Sequence, residues 1–293
     1  MRRLLTRVYQ AIDLARELLT MLWLSLPQPA RARKNRAEVP LVVSMTSHPG
    51  RIKHAWLSIE TLLRQTVKPK ALILVLSLEE FPTKQIPTKL FAQAKRGLTI
   101  TWVEENHGSF DKLLPARALF PEEAFATFDD DKFFPKDVLA QLFNASTLHP
   151  GAVIGARGWR MKPSAQDKWV HYGEGWVRLT SPASGRDLLM PGGNGCLYPK
   201  DSMHPEVDNW KSALTVCPTA DDIWFWAAIA KADSLSHCLG LPAHRPVKLQ
   251  QGSPALSEGN LSRNDQQFSN AIEHFDLEDF MNRLHRSQIE DGN

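Results

Sequence analysis

An apolar run ends abruptly in three consecutive aspartates at residues 125–131, which read Phe-Ala-Thr-Phe-Asp-Asp-Asp. A buried strand that delivers carboxylates at its carboxyl end restricts the fold, because open α/β sheets bind their ligands beyond the carboxyl ends of the strands. Carboxylate oxygens suit hard cations such as Mg²⁺ or Mn²⁺. Three adjacent acids also repel one another unless a cation or several hydrogen-bond donors offset their charge. The pattern therefore predicts a ligand site after this strand, with the alternative that the acids only cap a helix predicted over residues 136–143.

Strand, turn and helix patterns repeat from residue 39 onward. Short apolar runs predict buried strands at residues 41–45, 71–77, 98–103 and 125–128. Apolar side chains at helical spacing predict a helix over residues 51–64. This alternation is typical of an α/β fold with a mostly parallel, Rossmann-like sheet and flanking helices. No GxGxxG follows the first strand and no GxxxxGK[ST] occurs, which disfavours dinucleotide oxidoreductases and P-loop kinases.

Composition excludes several other classes of protein. A chain of 293 residues with 43% hydrophobic content can bury a full core, and a net charge of +3 gives no case for nucleic-acid binding. The ten histidines contain no HxH or HExxH arrangement, so a zinc enzyme is not indicated. The three cysteines have no metal-binding spacing, which predicts ordinary buried thiols in a reducing, cytoplasmic compartment.

Residues 1–36 differ from the rest of the chain. The leucine-rich stretch 4–26 is too interrupted by charge to span a bilayer or to act as a signal peptide, and the interrupting residues are Arg7, Asp13, Arg16 and Glu17. It predicts an N-terminal amphipathic helix, whose apolar side would carry Leu5, Ile12, Leu19 and Trp23. With the basic linker that follows, such a helix can lie on the anionic inner face of the cytoplasmic membrane as a peripheral contact. The alternative is a helix that packs on the domain or on a second subunit.

Six short motifs follow one another between residues 39 and 270. They are Ser-Met-Thr-Ser-His-Pro-Gly-Arg-Ile at 44–52, Glu-Thr-Leu-Leu-Arg-Gln-Thr at 60–66, Leu-Ser at 76–77, Lys-Leu-Leu-Pro at 112–115, the aspartates at 129–131, and Ala-Asp-Asp-Ile-Trp at 220–224. Together they resemble bacterial glycosyltransferases of the GT-A type, similar to family 2. The resemblance implies a GT-A-like fold, a nucleotide-sugar donor and a divalent metal, Mn²⁺ or Mg²⁺. Together with the N-terminal and C-terminal patterns, it predicts a helix and linker at 1–36, a glycosyltransferase domain at 37–275 and a helical tail at 276–293.

The resemblance also implies roles for several motif residues in the first half of the domain. Asp129 and Asp131 would hold the metal, which would stabilise the departing nucleoside diphosphate. Asp131 is the first choice as direct ligand, and contact with the ribose or the sugar is the favoured role for Asp129. Residues implied to contact the donor are Thr46, Arg51, Lys112, Asp129 and Asp130. A solvated loop lysine is the alternative for Lys112. His244 is a possible third metal ligand, although a packing or surface histidine is the favoured interpretation.

The second half would carry the acceptor chemistry. Asp221 and Asp222 begin a predicted helix, and an inverting transfer needs a carboxylate that takes the proton of the acceptor hydroxyl. We expect Asp222 to be that catalytic base, with Asp221 the second choice, and helix capping alone remains the alternative. Sugar-stacking candidates are Trp159, Trp169, Trp176, Trp210, Trp224 and Trp226, most of which we expect in the core. Residues 191–195, which read Pro-Gly-Gly-Asn-Gly, predict an open, flexible backbone beside them.

The expected function is metal-dependent transfer of a sugar from a nucleotide-diphosphate sugar to a saccharide or lipid-linked acceptor in surface polysaccharide biosynthesis. A sugar-phosphate nucleotidyltransferase is one alternative, but residues 46–51 contain too few glycines for its usual phosphate loop. A non-catalytic carbohydrate-binding protein is the other alternative. It would bind sugar without needing the metal.

Overall fold

The computed structural model describes residues 2–28, 36–162, 176–248 and 260–291. The helices in these residues are α1 (Arg2–Ser25), α2 (Ile52–Leu63), α3 (Thr88–Ala94), α4 (Leu114–Leu119), α5 (Val138–Leu148), α6 (Trp210–Val216), α7 (Asp221–Lys231), α8 (Asn260–His274) and α9 (Glu278–Asp291). Two short 3₁₀ helices cover Gly108–Lys112 and Pro205–Asp208. The longer strands are β1 (Glu38–Thr46), β2 (Lys68–Ser77), β3 (Leu98–Val103) and β4 (Ala124–Phe128). The shorter strands are β5 (Lys132–Phe133), β6 (Val153–Gly155), β7 (Trp159–Arg160), β8 (Val177–Arg178), β9 (Ala183–Gly185), β10 (Leu188–Leu189), β11 (Asn194–Tyr198), β12 (Ser236–Cys238) and β13 (Arg245–Pro246).

Eight of the described strands form one sheet, in the order β3-β2-β1-β4-β11-β6-β12-β9. Four of its seven neighbouring pairs are parallel: β3 with β2, β2 with β1, β1 with β4, and β6 with β12. The other pairs are antiparallel, and β11 lies antiparallel between β4 and β6. The carboxyl ends of β1 to β4 therefore meet at one edge of the sheet. β11 begins at that same edge, because Asn194 pairs with Phe128.

The predicted α/β fold is confirmed, as are the strands predicted at residues 41–45, 71–77, 98–103 and 125–128 and the helix predicted at 51–64. The strands at residues 41–45, 71–77 and 125–128 are largely buried on both faces. Burial on both faces is wrong for β3, because it is the edge strand of the sheet, with Leu98 buried and Thr99 exposed. Val42 and Ile73 pack into one core, whereas Leu41, Val43 and Leu72 pack into the other core across the sheet. This explains why the strands read as continuous apolar runs instead of alternating patterns. The antiparallel insertion of β11 is not marked in its local sequence and was not predicted.

Helix α1 is joined to the domain through its last turns. Leu24 is buried in the core, and the Arg64 guanidinium donates to the backbone carbonyls of Trp23, Leu24 and Leu26 at 2.6 to 3.2 Å. A cation at a helix C-terminus satisfies carbonyls that lack partners within the helix. The described part of the helix exposes six large apolar side chains, Ile12, Leu14, Leu18, Leu19, Leu22 and Trp23, and Leu26 just after it is also exposed. Within the described part of the chain, no helix is both long and apolar enough to cross a bilayer.

The C-terminal helices pack on α7. Phe268 of α8 stacks on Trp226, and Phe275, Leu277 and Phe280 are buried in the same core. The predicted burial of the cysteines is also confirmed, since Cys196, Cys217 and Cys238 are free, buried thiols. The described set leaves out the basic linker residues 31, 33 and 34, Trp169, and the side chains of residues 1–11, which include Leu5. The proposed domain boundaries at residues 36 and 275 stay predictions.

Candidate active site

The three aspartates after β4 lie where β1, β4 and β11 meet. Asp129 accepts a hydrogen bond at Oδ1 from Lys112 Nζ (3.1 Å) and at Oδ2 from Lys132 Nζ (2.5 Å). Burial favours the neutral acid, but the charges of Lys112 and Lys132 hold the pKa of Asp129 below its ordinary value. Asp129 is therefore a carboxylate fixed in its ionised form by two ammonium groups.

Gly193 makes this arrangement of Asp129 possible. A Cβ atom at residue 193 would lie 1.8 Å from Asp129 Oδ2, so a larger residue would displace the carboxylate from its lysines. The backbone nitrogen of Asp129 also donates to the Gly193 carbonyl at 3.1 Å. The open backbone predicted for residues 191–195 is wrong, because residues 192–195 are buried and Gly192 and Gly193 lie against Asp222 and Asp129. The glycines serve close approach of one backbone segment to another, not openness.

Asp130 turns inward. It is 4% exposed, and its carboxylate accepts from Ser47 Oγ at 2.5 Å and lies 3.4 Å from Arg51 Nη1. Burial raises its pKa to about 6, against the opposing effects of the Ser47 hydrogen bond and the Arg51 charge. Its backbone carbonyl accepts from Ser58 Oγ at 2.7 Å. Asp130 thus ties the loop to β1 and α2, and its direct contact with a donor stays a prediction.

Asp131 shares the outer side of the cluster with Asp129. Its Oδ2 lies 3.0 Å from Arg51 Nη1, and its Oδ1 lies 3.3 Å from Lys132 Nζ. A single ammonium group, Lys132 Nζ, is thereby placed between the carboxylates of Asp129 and Asp131, and it also lies 3.3 Å from the Gly193 carbonyl oxygen. Capping of the next helix does not account for these side chains, since their partners lie on three other segments.

The oxygen atoms around Lys132 Nζ have the chemistry that a hard cation requires. Two carboxylates and one backbone carbonyl are ordinary Mg²⁺ or Mn²⁺ ligands, with water completing the coordination. No group of three or more His, Cys, Asp or Glu side chains gathers as a metal cluster in the described residues. The carbonyl of Gly193 supplies the third oxygen instead. The donor set therefore fits a divalent cation at the position that the ammonium group occupies.

Lys112 joins this cluster to the second acidic pair. It lies in the 3₁₀ turn after β3, is 6% exposed, and places Nζ 3.1 Å from Asp129 Oδ1 and 3.1 Å from Asp221 Oδ2. Burial disfavours the charged amine, but Asp129, Asp221 and Asp222 together raise the pKa of Lys112 well above its ordinary value. The alternative of a solvated loop lysine is wrong. Contact of Lys112 with a donor stays a prediction.

The two acids in the first turn of α7 have their partners outside that helix. Ala220 is the residue before the helix and makes no side-chain cap. Asp222 Oδ1 accepts from the backbone nitrogen of Gly192 at 2.8 Å, and Asp221 pairs with Lys112. Burial and the adjacent Asp221 charge raise the pKa of Asp222 to about 7. Lys112 thus connects Asp221, which lies 90 residues after Asp131 in the chain, to the first cluster, and Asp222 is its neighbour in the first turn of α7.

Other predicted residues lie apart from this centre. Thr46 donates its hydroxyl to the Val75 carbonyl at 2.9 Å, on the side of β1 away from β4. His244 is buried, has Nε2 at 2.8 Å from the Asn194 carbonyl oxygen and packs on Phe134. The favoured interpretation of a packing histidine agrees with these contacts.

The described tryptophans of the candidate set differ in burial. Trp176, Trp224 and Trp226 are buried. Trp159 and Trp210 are half-buried, and Trp210 lies 4.4 Å from the His107 ring between centroids. Among the described sugar-stacking candidates, Trp159 and Trp210 are therefore the two that are not buried.

Sequence reasoning missed Ser47, Lys132 and Gly193. Lys132 had a signal, because a lysine directly after three aspartates is placed to neutralise them. Gly193 had a weaker one in the glycine-rich run. Ser47 had none, since its role depends on β1 lying beside β4.

A comparison with protein-family models finds no match, and a search of curated proteins finds none either. Solved structures similar to this chain include S. aureus TarS 1–349 in complex with UDP, at 12% identity and a TM-score of 0.45. That alignment covers 70% of this chain and 59% of the TarS chain, so this protein spans less than two thirds of that structure. A second structure of S. aureus TarS 1–349 aligns at 12% identity and a TM-score of 0.46, covering 82% of this chain and 73% of that one. The function of this chain is therefore argued from its own site residues.

Proposed function

We propose that this protein is a GT-A-like glycosyltransferase that moves a sugar from a nucleotide-diphosphate donor to a saccharide or lipid-linked acceptor in surface polysaccharide biosynthesis. One observation carries the proposal: Lys112 Nζ joins Asp129, at the carboxyl end of a central strand, to Asp221 at the start of α7. In such an enzyme, the groups that bind the donor and the group that activates the acceptor have to lie close together at one site. Ligands of open α/β sheets bind at this edge.

The donor would lie over the end of β4. Arg51, Lys112 and Lys132 supply positive charge for a diphosphate, and an arginine fork suits phosphate oxygens in particular. Asp129 and Asp131 would hold Mn²⁺ or Mg²⁺, which when bound neutralises the charge that develops on the leaving diphosphate.

The acceptor hydroxyl would approach from the side of α7. Asp222 takes its proton as the oxygen forms a bond to the anomeric carbon, and the bond from that carbon to the diphosphate oxygen breaks. The electron pair of the broken bond leaves with the nucleoside diphosphate. A base works best when its pKa lies near the working pH, and the raised pKa of Asp222, about 7, meets that condition. This arrangement gives inversion at the anomeric carbon.

A screen of nucleotide-diphosphate sugars tests the proposal. Each donor is incubated with full-length protein and Mn²⁺, and both sugar release and thermal unfolding are measured. A bound donor at 100 times its dissociation constant stabilises the fold by about 2.7 kcal/mol. Release of nucleoside diphosphate supports the transferase, whereas release of pyrophosphate from a nucleoside triphosphate and a sugar phosphate would favour a nucleotidyltransferase. Sugar binding without turnover, and without dependence on Mn²⁺, would favour a carbohydrate-binding protein.

Peripheral membrane attachment at the cytoplasmic face is part of the proposal. The outer side of α1 exposes 67% of Leu19 and 62% of Leu22, while the Arg64 contacts and buried Leu24 hold the helix on the domain. Apolar side chains on such a helix insert at the headgroup boundary, and basic residues nearby attract anionic lipid.

Vesicle sedimentation measures this attachment. Full-length protein should bind anionic vesicles at low salt, and deletion of residues 1–36 should release it. The double variant Leu19→Ser, Leu22→Ser should bind more weakly while its thermal unfolding stays near wild type, since both side chains are exposed. Full-length protein that ignores these vesicles would make α1 a packing element.

A further inference from the structure

Lys132 occupies the position between two carboxylates that a divalent cation would take. Its Nζ lies 2.5 Å from Asp129 Oδ2 and 3.3 Å from Asp131 Oδ1, and the Gly193 carbonyl oxygen is 3.3 Å away. These are oxygens that would also coordinate Mg²⁺ or Mn²⁺. A metal ion and this ammonium group therefore exclude each other, because like charges cannot share one set of ligands.

The three cations of the cluster are held in different ways. Lys112 is held between Asp129 and Asp221, and its side chain is 8% exposed. Arg51 contacts Asp130 at 3.4 Å and Asp131 at 3.0 Å. The side chain of Lys132 is 18% exposed, more than that of Lys112. Its flexible four-carbon chain allows the ammonium group to change position. Lys132 is thus the cation that a metal would displace.

Displacement needs a new partner for the freed charge. An ammonium group that leaves Asp129 and Asp131 without another anion nearby loses two ion pairs at once. A diphosphate bound at the same edge would offer oxygen atoms within reach of the same side chain. Metal entry therefore becomes easier when a nucleoside diphosphate is already present, and the two ligands are coupled.

We propose that Lys132 is a placeholder cation that keeps divalent metal out of the free site and makes metal binding conditional on the nucleoside diphosphate. The proposal rests on the donor site proposed above. In the free protein the triplet is balanced by Arg51, Lys112 and Lys132, so no metal is needed to hold the loop. With a diphosphate bound, Lys132 moves to phosphate and the two carboxylates become free to coordinate.

Mn²⁺ binding to full-length protein tests this role. The unbound Mn²⁺ signal is followed by electron paramagnetic resonance, with and without UDP or GDP, for wild type and for Lys132→Met. Wild type should bind Mn²⁺ weakly alone and at least tenfold more tightly with a nucleotide that it recognises, after correction for Mn²⁺–nucleotide complexes in solution. Lys132→Met should bind Mn²⁺ alone at least tenfold more tightly than wild type, and the effect of the nucleotide should shrink.

Two control variants isolate the charge at this position. Lys136→Met removes an exposed lysine four residues away and should leave Mn²⁺ affinity unchanged. Lys132→Arg keeps the charge and should keep the low affinity for free Mn²⁺. Thermal unfolding of each variant checks that the fold survives.

The outcomes separate this role from the proposed function. Equal Mn²⁺ affinity of wild type and Lys132→Met without nucleotide overturns the placeholder role, whether or not sugar transfer occurs. If Lys132→Met gains Mn²⁺ affinity while wild type transfers sugar from no donor, the transferase proposal fails and the role of Lys132 stands.

Discussion

Two acidic groups lie about 90 residues apart in the chain and are joined through Lys112, yet their surroundings differ. Asp129 and Asp131 are contacted by Lys112, Lys132 and Arg51, so positive charge surrounds the end of β4. The pair at the start of α7 has one cation, Lys112, and that lysine contacts Asp221 and not Asp222. The pKa of Asp129 is accordingly lowered, whereas the pKa of Asp222 is raised to about 7.

The difference shows how one kind of side chain serves two purposes. A carboxylate among several cations stays ionised and is suited to hold charge in place. A buried carboxylate beside a second acid, with a single backbone donor, takes up a proton near neutral pH. The number of cations within reach separates the two roles.

Removing a charge from the first group should have the largest effect. Asp131→Asn keeps the shape but loses the carboxylate that faces Lys132 and Arg51, so sugar transfer should be abolished. Initial rates with a donor and acceptor measure this, and Asp137→Asn, at an exposed aspartate in the next turn, is the matched control. Transfer by wild type that persists in excess chelator would remove the metal from the mechanism.

A substitution in the second group should affect proton transfer and leave donor binding unchanged. Asp222→Asn should lower transfer by two or more orders of magnitude, the usual contribution of a general base, while donor binding stays near wild type. Titration of the donor against both proteins, next to their rates, separates the two effects. A variant that keeps most of its rate would move the base to Asp221 or point to a retaining mechanism.

Lys112→Met would break the link between the groups. Removing one member of a buried ion pair leaves uncompensated charge, and the free energy of unfolding should fall by about 3–5 kcal/mol. Denaturant unfolding measures this loss. Lys136→Met, at an exposed site, should change stability little. A Lys112→Met protein as stable as wild type would mean that the two groups are not held together by this lysine.

The pH dependence should show the smallest effect. Transfer needs ionised Asp222, so its rate should fall about tenfold for each pH unit below 7. Stability moves in the opposite direction: the raised folded-state pKa means that the contribution of Asp222 is fully present below about 4 and is lost as pH rises through about 7. Asp222→Asn should therefore gain stability relative to wild type over this window, as thermal unfolding at several pH values would measure. A flat difference would show that Asp222 does not titrate there.

The sequence by itself determined the parts of this protein that depend on local pattern. Continuous apolar runs predicted β1 to β4, helical spacing predicted α2, and the run that ends in Asp129 predicted acids at the edge of the sheet. These features follow from the periods of strand and helix, which any short window of sequence contains.

Only the tertiary structure decided which charges meet. Lys112 reaches Asp221 across 109 residues, Ser47 reaches Asp130 across 83, and Lys132 reaches the Gly193 carbonyl across 61. These contacts depend on β4 lying between β1 and an antiparallel β11, a pairing that leaves no local mark in the chain. The pKa of a buried acid depends on charges near it in space, so the same residue type became a fixed anion at Asp129 and a titrating acid at Asp222.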